Sequence, residues 1–394
     1  MSYRIFLAVA VAALSGCAQG DGSGSPDVQP SASAGDTNLQ AGADAAPQVA
    51  TFAANLEHPW ALATLPDGRM LVTERPGRLR YVGRDGALSE PITGTPRVWA
   101  EGQGGLLDVA LDPDFGSNRL VYLSYSEPGA RGTAGTAVAR GRLSGNSLSD
   151  VQVIFRQEPK IEGPNHFGSR LVFAPDGKLF VALGERFQFE PAQDLGNHLG
   201  TIVRINPDGS VPSDNPFVGR SGARSEIWSY GHRNIEAAAI EPGSQRFWVV
   251  EMGPRGGDEL NLVEAGRNYG WPLVSWGRHY PNSRGGGDIP DPTTRPDLAG
   301  SVHQWTPVIS PSGMMFYSGN MFPGWRGQAL IGGLTADGIV RVRLDGARFA
   351  GEDRIDLGAR IREVEQGSDG AVYALTDESN GRILRLTAAS GGAR

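Results

Sequence analysis

Short apolar or alternating runs, each closed by turn residues, dominate the chain from Val49 to Leu386. Met70-Leu71-Val72-Thr73, Leu120-Val121-Tyr122-Leu123-Ser124-Tyr125 and Leu179-Phe180-Val181-Ala182-Leu183 are typical, rich in β-branched, aromatic or leucine residues. Runs of this length suit strands and are too short for globular helices. No stretch joins a helical period to caps at both ends, so the pattern predicts an all-β chain. A unit of apolar residue, Pro/Asp/Gly turn and apolar strand then recurs. It stands at Leu65-Pro66-Asp67-Gly68, Leu111-Asp112-Pro113-Asp114 and Ala174-Pro175-Asp176-Gly177, with looser copies at Glu241-Pro242-Gly243-Ser244, Phe322-Pro323-Gly324-Trp325 and Gly367-Ser368-Asp369-Gly370. Proline presets one turn dihedral and Gly or Asp tolerates the next, so each copy marks a hairpin. Six copies over about 340 residues allow one four-stranded blade plus loops per copy, hence a six-bladed β-propeller. By itself the same beat also fits two packed sandwich domains. Asn206-Pro207-Asp208-Gly209 falls off the beat and is assigned to a loop within a blade.

Composition adds three constraints. Glycine, at 56 of 394 residues, is about double its usual share and suits many tight turns. The net charge of −7 comes without a basic cluster, which argues against a nucleic-acid partner. The apolar run from Ile5 to Leu14 behind Arg4 is too short to span a bilayer but suits a signal peptide over residues 1–16. It ends in Leu14-Ser15-Gly16-Cys17, which resembles a lipobox, and Cys17 is the sole cysteine. An ordinary signal peptide with an incidental cysteine is the alternative. One cysteine also excludes an internal disulfide. Residues 17–48, mostly Gly, Ser, Ala, Asp and Pro, read as a lipidated flexible tether, and residues 49–390 as the propeller. The expected location is the periplasm, anchored to the outer membrane through Cys17 alone.

Eight segments in order carry a family resemblance. The first four are His58-Pro59-Trp60-Ala61-Leu62, Gly102-Gln103-Gly104-Gly105-Leu106-Leu107-Asp108, His166-Phe167-Gly168-Ser169-Arg170-Leu171 and Gln193-Asp194-Leu195. Ile227-Trp228-Ser229-Tyr230-Gly231-His232-Arg233-Asn234, Gly253-Pro254-Arg255-Gly256-Gly257-Asp258-Glu259, Asn268-Tyr269-Gly270-Trp271-Pro272 and Tyr373-Ala374-Leu375-Thr376-Asp377 complete the set. Together they resemble the aldose sugar dehydrogenases that depend on pyrroloquinoline quinone (PQQ), relatives of soluble glucose dehydrogenase. The family's fold is a six-bladed propeller, in agreement with the turn count.

The resemblance implies oxidation of an aldose at its anomeric carbon to the lactone, with electrons passed to an unidentified acceptor. Such a reaction needs a base for the hydroxyl proton, and imidazole suits it because its pKa lies near neutrality. His166 matches the family's proton acceptor, whereas His198 and His232 read as structural. PQQ is a tricarboxylate, so its pocket needs fixed positive charge, and guanidinium offers a planar fork for carboxylates. Arg360 and Arg362, two apart on an expected strand, match the family's carboxylate-binding pair; Gln103, Arg233 and Asn234 match further cofactor contacts. Unaided, the arginine pair would be read as a solvent-facing strand edge and both loops as turns. Ca²⁺ takes six to eight oxygen ligands. One ion would be held by main-chain oxygens of Gly253 and Pro254, and a second, structural one near Glu259 and Tyr269. Glu185, Gln188, Trp276 and Trp305 are the residues considered for the sugar.

At one position the chain departs from the family. Where a lysine is usual, the stretch Gly333-Leu334-Thr335-Ala336-Asp337-Gly338 has none and Thr335 stands in its place. Loss of one charged contact to an anionic cofactor would cost on the order of 2 kcal/mol, roughly thirty-fold in affinity. Two other readings stay open on sequence: a non-catalytic binding propeller, and a calcium-dependent propeller lactonase, which would need carboxylates and asparagines converging on a central metal.

Overall fold

The computed structural model describes residues 46–281 and 287–389. The expected signal peptide and most of the tether lie outside the described residues. Six antiparallel sheets follow one another along the chain, and each is a blade. Blade 1 comprises Pro59–Thr64, Met70–Glu74 and Arg78–Val82; blade 2 comprises Leu106–Leu111, Leu120–Pro128, Thr133–Ser144 and Ser147–Arg156. Blade 3 comprises Gly168–Phe173, Leu179–Leu183, Thr201–Ile205 and Ile227–Tyr230; blade 4 comprises Ile235–Ile240, Phe247–Glu251, Asp258–Leu262 and His303–Trp305. Blade 5 comprises Pro311–Phe316, Ala329–Gly333, Gly338–Asp345 and Arg348–Asp356; blade 6 comprises Ile361–Gln366, Val372–Thr376 and Gly381–Thr387. The first strand of each blade packs beside the first strand of the next, and the ring closes from blade 6 onto blade 1. The chain is a six-bladed β-propeller.

Strand pairing between the two ends of the propeller reinforces the closure. The N-terminal strand Gln48–Leu56 pairs antiparallel with Gly381–Thr387, from Gln48 opposite Thr387 to Leu56 opposite Gly381, and becomes the outer strand of blade 6. Two blades depart from four strands. Blade 1 keeps three, its edge met by a single bridge between Val82 and Leu88, and blade 2 gains the short strand Ile161–Glu162 against Thr133–Ser144.

All six Pro/Asp/Gly turns fall in the same place, between the first and second strands of successive blades. Asn206-Pro207-Asp208-Gly209 links the third and fourth strands of blade 3, a loop within a blade as its position predicts. The continuous apolar runs have a packing reason. Each blade is covered on both faces by its neighbours, so strands such as Met70–Glu74 and Leu179–Leu183 are buried at every residue. The core is accordingly split into apolar clusters at the six blade-to-blade contacts.

The axis is filled by charge instead. Innermost strands contribute Trp60, Asp108, Arg170, Glu236, Ser312, Arg362 and Glu363, all buried. Arg170 donates to Asp108 (3.1 Å), to Glu363 and to the Glu236 carbonyl (3.0 and 2.9 Å), and its guanidinium lies 4.4 Å over the Trp60 ring. Burial pushes the Glu363 carboxyl up to about 7, against the pull of Arg170.

Candidate active site

In an antiparallel blade, the start of the first strand and the end of the second lie at the same end. Gln103, His166, Arg233, Asn234 and Arg360 each precede a first strand; Arg75, Glu185, Gly253, Thr335 and Asp377 each follow a second. The topology therefore gathers these residues on one face of the ring, opposite the six tight turns.

His166 is 6% exposed and sits at φ 53°, in the left-handed region that a non-glycine residue occupies only when its surroundings fix it. Its backbone N–H donates to Gln103 Oε1 (2.6 Å), and its carbonyl accepts from Arg186 N (3.3 Å). Its Nδ1 lies 2.6 Å from Glu185 Oε1. Glu185 is itself locked, its other oxygen accepting the N–H groups of Gln188 and Phe189, the latter at 2.9 Å. The neighbouring Arg186, Phe187 and Phe189 all have positive φ, and the Arg186 guanidinium holds the loop by donating to the carbonyls of Asn165 (2.8 Å), Ala134 (2.6 Å) and Gly163. Burial, reinforced by the Arg233 charge, holds the His166 pKa below its ordinary value despite Glu185. The result is a neutral imidazole with Nδ1 tied to a carboxylate and Nε2 left for a substrate.

Of the guanidinium groups on this face, Arg233 is the one whose charge acts on His166. Arg233 donates to the carbonyls of Met252 (2.9 Å) and Gly253 (2.8 Å) and stacks 5.3 Å from the Trp271 ring centre. Arg362 donates to Glu236 and to Asp377 (2.9 Å), and Arg360 reaches Asp377 (3.4 Å) and the Leu334 carbonyl (3.1 Å). A shared carboxylate thus shows that the arginine pair faces one way, with Arg362 buried and Arg360 half exposed. The Nε atoms of Arg233 and Arg362 are buried without a partner. Such donors suit an arriving carboxylate, so the pocket fits an anionic cofactor. Asn234 is tied into the frame, accepting from Gly168 N (3.0 Å) and donating to Glu236 (3.1 Å).

Gly253, Glu259 and Tyr269 line one cavity of about 20 Å³ together with Glu251. That is room for a single ion or water. Burial and the nearby Glu251 charge raise the Glu259 carboxyl to about 8, and Asn261 bridges the two carboxylates (2.9 and 3.3 Å). A divalent cation would relieve that repulsion, so these residues fit one. The Tyr269 hydroxyl donates to the Leu262 carbonyl (2.6 Å) and accepts from Glu264 N (3.0 Å), which leaves its main-chain oxygen as the ligand it can offer. The Pro254 carbonyl accepts from the Tyr280 hydroxyl (3.1 Å). Among the described residues, no three His, Cys, Asp or Glu side chains form a metal-binding group.

His198 and His232 are tied into the frame by hydrogen bonds on both ring nitrogens. His198 bonds Glu226 (2.7 Å) and Glu158 N (2.9 Å); His232 bonds Ser229 (2.9 Å) and Glu251 (3.1 Å) and stacks on Tyr269. Of the residues considered for the sugar, Glu185 is consumed by His166, Trp305 is buried and bonded to Glu352 (2.6 Å), and Trp276 bonds Ser301 (3.0 Å). Phe187, unremarked in the sequence, is the half-buried aromatic edge 5.0 Å from the His166 ring. Its signal was only an aromatic residue two places after Glu185.

Comparison with known proteins identifies the family. The chain matches the glucose/sorbosone dehydrogenase family over residues 56–385. It is 47% identical over 342 residues to an aldose sugar dehydrogenase of Escherichia coli, covering 84% of this chain and 90% of that one. The crystal structure of the soluble aldose sugar dehydrogenase from Escherichia coli in its apo form superposes with a TM-score of 0.82 at 45% identity, over 87% of this chain and all of that one. The PQQ-bound aldose sugar dehydrogenase of Streptomyces coelicolor superposes at 0.71 and 30% identity, over 88% and 99%. A match over residues 56–385 and 47% identity across most of both chains show that the chain belongs to the glucose/sorbosone dehydrogenase family.

Proposed function

We propose that the protein oxidises aldoses at the anomeric carbon to lactones, using PQQ and Ca²⁺, with His166 as the general base. The observation that carries this is the buried, neutral His166 held by Glu185 on the same face as partnerless guanidinium Nε atoms. Arg233, Arg360 and Arg362 would hold the cofactor's carboxylates, with Gln103 and Asn234 beside them. Carbonyl oxygens of Gly253 and Pro254 would hold one Ca²⁺, and Glu259 with Tyr269 a second. Bound there, PQQ supplies the hydride acceptor and Ca²⁺ the Lewis acid that polarises it. His166 Nε2 takes the C1 hydroxyl proton as the C1 hydrogen leaves with its electron pair. The Glu185 carboxylate fixes the imidazole tautomer and stabilises the imidazolium that forms. Phe187 offers the sugar's C–H face an apolar surface beside the base. The product is the lactone, two electrons poorer than the aldose.

The carboxylates that converge on the axis are paired with Arg170 and Arg362. They are therefore engaged in a structural network and not arranged for a lactonase metal. Export, the Cys17 lipid anchor and the periplasmic location belong to the same proposal, resting on residues 1–48; no helix among the described residues is long and apolar enough to cross a membrane.

The test uses protein lacking its first seventeen residues, with PQQ and Ca²⁺ added, and follows dye reduction over a panel of aldoses. Dependence on both additions, abolished in His166→Ala, is the expected result. Lactone hydrolysis without quinone, or no saturable PQQ binding, overturns the proposal.

A further inference from the structure

Arg75 was not singled out in the sequence, yet it has the marks of a ligand-facing cation. It follows the second strand of blade 1, on the face that carries His166. Its backbone is fixed on both sides: its N–H donates to the His58 carbonyl (3.1 Å), and its carbonyl accepts from Leu106 N (3.0 Å). One side-chain nitrogen donates to the Gly102 carbonyl (2.5 Å), while Nε is buried with no partner. Among the described residues, no carboxylate lies at ion-pair distance from it; Arg233 is in the same position. Both guanidinium groups are held below the ordinary arginine value, chiefly by burial. The charges that Arg75 senses most are Asp377, Arg362 and Glu236, which places it beside the arginine pair. Blades 1 and 4 face each other across a six-membered ring, so Arg75 and Arg233 approach the central pocket from opposite sides.

Arg233 is buried and Arg75 half-buried, each with a buried Nε that has no partner. Taking such cations out of water without a counter-charge is costly, and an anion bound between them would offset that cost. We propose that Arg75 is a further cofactor-binding residue, donating its free Nε–H to a carboxylate of the anionic cofactor from the blade 1 side, opposite Arg233. The ligand class is a planar polycarboxylate, and the inference rests on the reading of the site as a PQQ pocket. It also accounts for tolerance of Thr335: that side chain bonds the Val308 carbonyl (3.0 Å) and Ser310 (3.1 Å) and supplies no charge.

The experiment is an equilibrium titration of the cofactor-free protein with PQQ, read by tryptophan fluorescence, on wild type, Arg75→Gln and Arg75→Lys, with thermal melts as the check on folding. The expected result is binding weakened about thirty-fold in Arg75→Gln, as for loss of one charge-assisted bond, and within about threefold of wild type in Arg75→Lys. Equal weakening in both variants overturns the inference, because the role would then lie in pinning Gly102. Unchanged binding in Arg75→Gln overturns it directly. If wild type itself fails to bind, the cofactor reading falls and this inference with it.

Discussion

At the scale of single residues, the site is set by what each polar group already touches. His166 owes its protonation state to burial, and the sign of the consequence can be worked out. The unfolded chain protonates its histidines near ~6.5, whereas folded His166 titrates lower. Between those two values the unfolded state binds more protons, so this group's contribution to stability is intact above ~6.5 and is lost as pH falls through the folded value. In the cofactor-free protein, NMR titration should find the His166 ring neutral down to below pH ~6.5; protonation above that would contradict the burial argument. Glu185→Gln keeps an oxygen for the Gln188 and Phe189 N–H groups. It should therefore lower the melting temperature by only a few degrees while lowering kcat about a hundredfold, because the amide cannot stabilise the imidazolium. Loss confined to KM would instead make Glu185 a sugar contact. At position 335, restoring a charge should matter: Thr335→Lys is expected to tighten PQQ binding about tenfold, measured by titration.

At the scale of elements, strained loops aim the chemistry. The loop from Glu185 to Phe189 places three non-glycine residues at positive φ, and the Glu185 and Arg186 side chains hold it there. Gly184, where that loop leaves the second strand of blade 3, is the tight point. A Cβ there would lie 2.8 Å from Asn234 Oδ1 and closer still to the His166 carbonyl. Gly184→Ala should therefore displace the base and lower kcat at least tenfold, since misplacement by about 1 Å can cost a hundredfold. Unaltered turnover in that variant would show that the backbone relaxes elsewhere.

At the scale of the whole molecule, a ring of blades needs a closed circumference and a filled axis. The strand Gln48–Leu56 covers the edge of Gly381–Thr387, and without it blade 6 would offer unpaired N–H and C=O groups to another chain. On the axis, Arg170 binds Asp108, Glu363 and the Glu236 carbonyl together. Arg170→Met removes the cation and leaves buried carboxylates facing one another. It should cost about 3–5 kcal/mol and lower the melting temperature by roughly 5–10 °C, as scanning calorimetry would show. A melting temperature within a degree of wild type would mean that the network is dispensable.

The sequence by itself determined the strands and the six-fold turn beat, because turn dihedrals and strand burial are local properties of a few neighbouring residues. The beat alone also fitted two packed sandwiches, and the closure of six blades into a ring was decided by tertiary contacts. Blade 1's missing fourth strand was not visible, since pairing at an edge depends on partners far along the chain. The chemistry lies on the face opposite the turns, in loops of irregular length. There His166, Arg233 and Arg362 could be named only through a resemblance, not from spacing. Arg75, Phe187 and the pairing of Glu185 with His166 escaped even that, because an arginine or a glutamate after a strand reads as surface until its surroundings are known. Only the tertiary structure decided which of these side chains are buried, which have partners, and which come from distant parts of the chain to one face.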